Sequence, residues 1–202
     1  VSTPSASDID PLIYLASNND LIKAFGLDTT AASQHYLSTG YLESRYLDSF
    51  NVHNYMASNF DLLSIFGTDT TAAIKHYISL GYTENREIND FDEWSYLASN
   101  VDLINAYGSN SDLGSLATQH YVNFGFSEKR EIDNFDEWGY LASNIDLKNS
   151  FGSDVNSALK HYISYGFSES RSLDTFNALN YLRNYADLRA SFGDNQTLAK
   201  QH

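Results

Sequence analysis

The segment YLASNVDLINAYG begins at Tyr96, and near-copies begin at Tyr14 (YLASNNDLIKAFG), Tyr55 (YMASNFDLLSIFG), Tyr140 (YLASNIDLKNSFG) and Tyr181 (YLRNYADLRASFG). The spacings are 41, 41, 44 and 41 residues, and the long copy carries its extra residues between Gly108 and His120, in the polar stretch SNSDLGSLATQ. A period of this length with helical signals marks a helical repeat array, in which one unit cannot bury its apolar face without a neighbour. The sequence therefore predicts an all-α fold, a helical repeat solenoid with about three short helices per unit. The units run 9–49, 50–90, 91–134 and 135–175, with a shorter fifth at 176–202, after a polar lead-in or linker at 1–8. The fifth stops at His202, where the other units continue with a tyrosine, which points to a piece of a longer array or a partly ordered chain.

Each unit reads as three helices with their own start and stop signals. The first opens at Asp10, Asn51, Asp92, Asp136 or Asn177, whose short side-chain oxygens suit a helix N-cap. An apolar residue precedes each (Ile9, Phe50, Phe91, Phe135, Phe176), as a hydrophobic staple requires. Ser17 with Asp20, Ser58 with Asp61, Ser99 with Asp102 and Ser143 with Asp146 stand in S-x-x-D spacing, which reads as a capping box for the second helix. Gly26, Gly67, Gly108, Gly152 and Gly193 then close that helix in the left-handed conformation. The third helix carries the His-Tyr pair, is stopped by Gly40, Gly81, Gly125 and Gly166, and leads to an aromatic, an acid and an arginine. Phe60, Val101 and Ile145, apolar at a variable position, are expected at contacts between units.

Charge and composition exclude whole classes of function. Twelve basic against 26 acidic residues give a net charge of -14, which repels nucleic acid and anionic lipid and attracts cations or basic partners. The absence of cysteine rules out disulfides, thiolate metal sites and cysteine nucleophiles. No apolar run reaches the ~20 residues of a membrane helix, so no membrane insertion is expected. The opening VSTPSASDID has neither a basic start nor an apolar core and is not read as a signal peptide. Walker, G-x-S-x-G and dinucleotide-binding motifs are missing.

The recurring polar residues are the candidates for chemistry. His35, His76, His120 and His161 stand once per unit, with His202 in the fifth. Stacked helices lie ~8–10 Å apart, too far for neighbouring imidazoles to share an ion at ~2 Å. They read as structural histidines, partly buried and bonded to a backbone carbonyl or a carboxylate. Arg45, Arg86, Arg130 and Arg171, each two residues after a glutamate, read as connectors between one unit and the next. Repetition of every acid argues against one privileged hydrolase pair, so no catalytic residue is expected. A calcium site is left open at the densest acidic stretches, NDFDEW and DNFDEW; otherwise no cofactor is implied. His53, Trp94 and Trp138 share a register position held by leucine in the other units, and are singled out as possible ligand-facing residues.

Laid out in full, the unit F-D…Y-L-A-S-N-x-D-L…F-G…A-x-x-H-Y…G-[FY]-x-E-x-R resembles a tandem repeat of large secreted bacterial proteins. In these it accompanies RTX (hemolysin-type) calcium-binding segments, proteases, and surface-layer or adhesin-like regions. The resemblance spans residues from about Ile9 onward, and departs at the glycine of E-G-R, where this chain has Ser44, Asn85, Lys129 and Ser170. It implies an extracellular or cell-surface bacterial setting. The function expected is a non-catalytic interaction or scaffold region serving adhesion, a surface layer or self-assembly. Its partner is a protein, a cell-surface glycan, or another copy of the chain end to end. A glycan-binding module attached to a larger extracellular enzyme, or a cation-dependent assembly module, is the alternative.

Overall fold

The computed structural model describes residues 5–108 and 110–202, and the elements among them are helices and turns, with no strand. Residues 1–4 of the lead-in, and Ser109 of the insertion in the long copy, lie outside the described residues. The rest of the lead-in contains one short turn. Ala6–Asp8 forms a short 3-10 turn in which the Ser5 backbone N–H donates to Asp8 and the Ser5 hydroxyl accepts from within the turn, a true capping box.

Three main helices form in every unit, and the third unit adds a single short turn of helix at Phe126–Glu128. The main helices are Pro11–Ala16, Asn19–Phe25 and Thr29–His35 in the first, and Val52–Ala57, Phe60–Phe66 and Thr70–His76 in the second. Glu93–Ser99, Val101–Tyr107 and Leu113–His120 make up the third, and Glu137–Ser143, Ile145–Phe151 and Val155–His161 the fourth. The fifth has Ala178–Asn184, Ala186–Phe192 and Gln196–Gln201. Helices this short are marginal alone, so their ends and their packing decide them. Asp10, Asn51, Asp92, Asp136 and Asn177 do cap the first helices, each carboxylate or amide oxygen accepting from the first turn. The staple is present too: Phe50 lies 5.6 Å from Tyr55, and Phe135 5.7 Å from Tyr140. The third helices start on caps that the sequence pattern did not reveal, Asp28, Asp69, Asp154 and Asn195.

The capping box predicted for the second helices is not there. Their N-caps are Asn18, Asn59, Asn100 and Asn144, none of which makes a side-chain cap bond. Only one or two residues separate the first helix from the second, and Ser17 and Ser58 are still in right-handed helical geometry. A hydroxyl on the end of one helix faces away from the amides of the next. Ser99 and Ser143 are themselves the last residues of the first helix.

Both glycine expectations change as well. Gly26, Gly67, Gly152 and Gly193 close the second helix at φ +53°, +57°, +61° and +60°. Their ψ near -120° lies outside the left-handed helical well, in a region glycine alone enters easily. Gly108 departs from the set with φ -55°, in the repeat that carries the insertion. Gly40, Gly81, Gly125 and Gly166 do not stop the third helix. The helix widens into a π turn over Tyr36–Gly40, Tyr77–Gly81, Tyr121–Gly125 and Tyr162–Gly166 and runs on through the glycine. The reversal comes four residues later, at Ser44, Asn85, Lys129 and Ser170, all at positive φ. There the Arg45 N–H bonds back to the Gly40 carbonyl at 3.1 Å, and Arg86 and Arg171 repeat it, the long bond of a Schellman ending.

Contacts gather into two compact units. One holds residues through Phe91 together with Thr118–Lys129; the other holds Asp92–Ala117 and Arg130–His202. Within each, a first helix packs on the third helix of its own repeat and on that of the following repeat. Pro11–Ala16 meets both Thr29–His35 and Thr70–His76, and Glu137–Ser143 meets both Val155–His161 and Gln196–Gln201. The core of the first unit joins Tyr14, Leu15, Leu21 and Ile22 to Tyr55, Leu62, Ile74 and Tyr77. Each buried leucine or isoleucine there contributes about 1.5–3 kcal/mol. Of the three residues expected between units, Phe60 touches Tyr121 edge-on at 6.1 Å, yet Phe60, Val101 and Ile145 stay 46%, 43% and 71% exposed. They sit over the seams rather than in them.

Candidate functional site

The recurring histidine takes its partner from 21 residues upstream. Nδ1 of His35, His76, His161 and His202 shares a hydrogen bond with the hydroxyl of Tyr14, Tyr55, Tyr140 and Tyr181 at 2.9, 2.8, 2.9 and 2.9 Å. The partner is thus a phenol, not the carbonyl or carboxylate expected. His120 holds the matching position and lies 5.6 Å from the Phe124 ring. The π turn gives this pair its geometry. A Cβ added to Gly40, Gly81 or Gly166 would stand 2.1, 2.2 or 2.1 Å from the tyrosine oxygen, so only glycine lets the backbone close over the hydroxyl. Burial pushes the Tyr14 and Tyr55 hydroxyls above the ordinary phenol value and the Tyr140 hydroxyl up to about 12. These phenols stay protonated, held between an imidazole and a backbone.

The arginines act within a repeat rather than between repeats. Arg45 binds Asp20 and Glu43, both at 2.7 Å; Arg86 binds Asp61 and Glu84, and Arg171 binds Asp146 and Glu169. Arg130 binds Asp102 at 2.8 Å. The aspartate of the S-x-x-D spacing is therefore the far anchor of a clamp, not half of a capping box. It ties the start of the second helix to the end of the same repeat, because the chain returns to that helix before it leaves. Hydrogen bonding to Arg45 and Arg171 holds the Asp20 and Asp146 carboxyls below the usual carboxylate range. The aspartates are more than half exposed, so water screens each clamp and its contribution to stability is small.

Serine and asparagine hold the segment that leads out of each repeat, and three of the serine bonds, to Phe50, Phe91 and Phe176, reach the first residue of the next. The Ser17 hydroxyl accepts from the Phe50 N–H at 3.0 Å; Ser58 takes Asp90 and Phe91, Ser99 takes Asn134, and Ser143 takes Thr175 and Phe176. Asn18 donates from Nδ2 to the Tyr14 and Tyr46 carbonyls, both at 2.8 Å, and Asn59, Asn100 and Asn144 do the same in their repeats. Sequence reasoning passes over these asparagines, although their constancy beside a variable neighbour marks them.

The residues singled out as ligand-facing are all half-buried. Trp94 is half-buried with the Lys160 ammonium 5.3 Å from its ring centre, and Trp138 carries Lys148 at 5.6 Å. His53 is half-buried, and that burial holds its imidazole below its ordinary value. In the acidic stretches considered for calcium, Asp92 accepts from Trp94, Ser95 and the Ser95 hydroxyl, while Asp136 caps its helix and pairs with Lys200. Burial raises the pKa of the neighbouring Glu137 carboxyl. Among the described residues, no group of three or more histidine, aspartate or glutamate side chains is arranged to hold a metal. No helix among them is long and apolar enough to cross a membrane. No buried side-chain nitrogen or oxygen among them lacks a hydrogen-bond partner. Compared with known proteins, the chain matches no family model, no curated protein and no solved structure.

Proposed function

We propose that this chain is a non-catalytic interaction or scaffold segment of a secreted or cell-surface bacterial protein, built as an α-helical repeat solenoid. One observation carries the reading. The polar residues that recur are matched to architectural partners: histidine to tyrosine, arginine to two carboxylates, serine and asparagine to backbone. Groups fixed in this way in repeat after repeat are poor candidates for a single reacting centre. The solenoid draws its support from the packing of three first helices, Pro11–Ala16, Glu93–Ser99 and Glu137–Ser143, on the third helix of the following repeat. The secreted setting draws on the resemblance of the repeat motif. A charge of -14 favours basic or cationic partners over nucleic acid.

Two measurements test this. Purified chain is expected to hydrolyse chromogenic glycosides and casein no faster than buffer; turnover abolished by one Asp→Asn or Glu→Gln change overturns the non-catalytic reading. In native-state hydrogen exchange a stack of repeats opens from its ends, so protection is expected to rise from the terminal repeats toward the central ones. Uniform protection along the chain sinks the solenoid.

A further inference from the structure

Phe60 and Val101 hold the same register position in the second and third repeats, and the space beside them differs. Phe60 sets its ring edge-on to Tyr121 at 6.1 Å, and Tyr121 in turn stacks on Phe91 at 4.7 Å. The matching stack further along, Phe135 on Tyr162 at 4.5 Å, is as tight. The residue beside it is the shorter Val101, 43% exposed, and Phe135 is half-buried where Phe91 is buried. Val101, this ring pair and Leu173 line a cavity of about 350 Å³, at the small end of the range for ligand sites.

The walls combine carbon with charge, for Asp136 and Asp174 also line the cavity and no basic side chain does. The two acids are not equivalent. Asp136 has both oxygens engaged, one by the Gly139 N–H at 2.7 Å and the other by the Lys200 ammonium. Asp174 is exposed and has no hydrogen bond or ion pair among the described residues. The neighbouring Ser99 hydroxyl does not engage it, and accepts instead from the Asn134 N–H at 2.9 Å.

We propose that this cavity receives an arginine side chain from a partner polypeptide, with its stem along Val101 and Leu173 and its guanidinium against Phe135 and paired with Asp174. Arginine joins the two properties the walls ask for. Its guanidinium is weakly hydrated and stacks on aromatic rings, and its paired N–H donors match a carboxylate. The chain uses the same chemistry on itself: Arg171 grips Asp146 and Glu169, and Lys160 and Lys148 stand over the rings of Trp94 and Trp138. A neutral ring of the kind Phe60 supplies in the second repeat leaves Asp174 unpaired. The charge of -14 draws a basic partner toward this surface. The proposal deepens the interaction reading above and rests on it for the source of the side chain.

The test is an NMR titration of the whole 202-residue chain with Nα-acetyl-L-argininamide. Saturable shifts are expected at Val101, Phe135, Leu173 and Asp174, with a dissociation constant on the order of 1 mM for so small a ligand. Binding is expected to weaken as added salt screens the ion pair. Val101→Phe fills the cavity with the residue that the second repeat carries at this position, so the chain stays folded and binding falls roughly tenfold. Asp174→Asn changes an exposed side chain and weakens binding severalfold. The uncharged isostere Nα-acetyl-L-citrullinamide and the neutral ring p-cresol are expected not to bind. Absence of saturable shifts, or unchanged binding in folded Val101→Phe, overturns the site. Unchanged binding in Asp174→Asn, or equal binding of the citrulline compound or p-cresol, overturns arginine as its occupant. Either failure leaves the scaffold reading standing, since that reading is decided by the turnover assay.

Discussion

In the fourth repeat Tyr140 is succeeded by Leu141, Ala142, Ser143 and Asn144; in the fifth, Tyr181 is succeeded by Leu182, Arg183, Asn184 and Tyr185. Both repeats keep the aromatic staple, at 5.7 and 5.3 Å, and the Tyr–His bond, at 2.9 Å in each. Both close the second helix on a glycine at positive φ and open the third on a side-chain cap. They part at the edge where one repeat hands the chain to the next. Asn144 donates to the Tyr140 and Ser172 carbonyls, and Ser143 receives the Thr175 and Phe176 amides; Tyr185 in the same place is 50% exposed. The frame that makes a repeat and the edge that holds the onward chain are thus written in different residues. One can change without the other.

The largest effect is expected where the frame is tightest. Gly166→Ala drives a methyl to 2.1 Å from the Tyr140 hydroxyl and is expected to cost about 3 kcal/mol in urea denaturation. A loss below about 1 kcal/mol would mean that the π turn yields, and that the frame is softer than the comparison assumes.

Next comes the edge. Asn144→Ala removes the donor to two carbonyls and is expected to cost about 2 kcal/mol. Tyr185→Asn changes a side chain that is 50% exposed and should change stability by less than about 0.5 kcal/mol. Equal effects at both positions would erase the distinction between frame and edge.

Removing one hydroxyl separates the repeats more finely. Tyr140→Phe leaves His161 without its phenol at a fully buried ring and is expected to cost about 1–1.5 kcal/mol. Tyr181→Phe, with the same bond in an exposed setting, should cost under about 0.5 kcal/mol.

The smallest effect is electrostatic and depends on pH. The Asp146 carboxyl is held low by its hydrogen bond to Arg171, so the clamp stabilises the fold above the unfolded carboxylate pKa of ~3.9. That contribution is lost as pH falls through the lower folded value. The melting temperature of the parent should therefore decline faster below about pH 4 than that of Arg171→Gln. Parallel curves would show that the clamp adds nothing.

The register of the array and the identity of its residues were legible because helix ends are local. A cap, a staple and a closing glycine act within a few residues, and Asp10, Phe50 and Gly67 declare themselves by type and spacing. The S-x-x-D reading failed for an instructive reason. Spacing places Ser17 and Asp20 close together, but it does not say that a helix already ends on that serine. The partners of the clamp were also hidden, although one signal was present. Asp to Arg is 25 residues in three repeats and 28 in the third, where the inserted loop lies between them. A pair that survives an insertion is in contact across the loop, not along the chain.

The sequence by itself determined that this protein is helical, that it repeats, and where the first helix of each repeat begins, since those properties come from periodicity and from side chains acting on nearby amides. Only the tertiary structure decided what the recurring polar groups do: that histidine meets tyrosine under a glycine, that arginine closes its own repeat, and that serine and asparagine hold the segment leading out of it. Each of these joins groups some 20–35 residues apart, and over that distance the path of the backbone, not the order of the letters, chooses the partner.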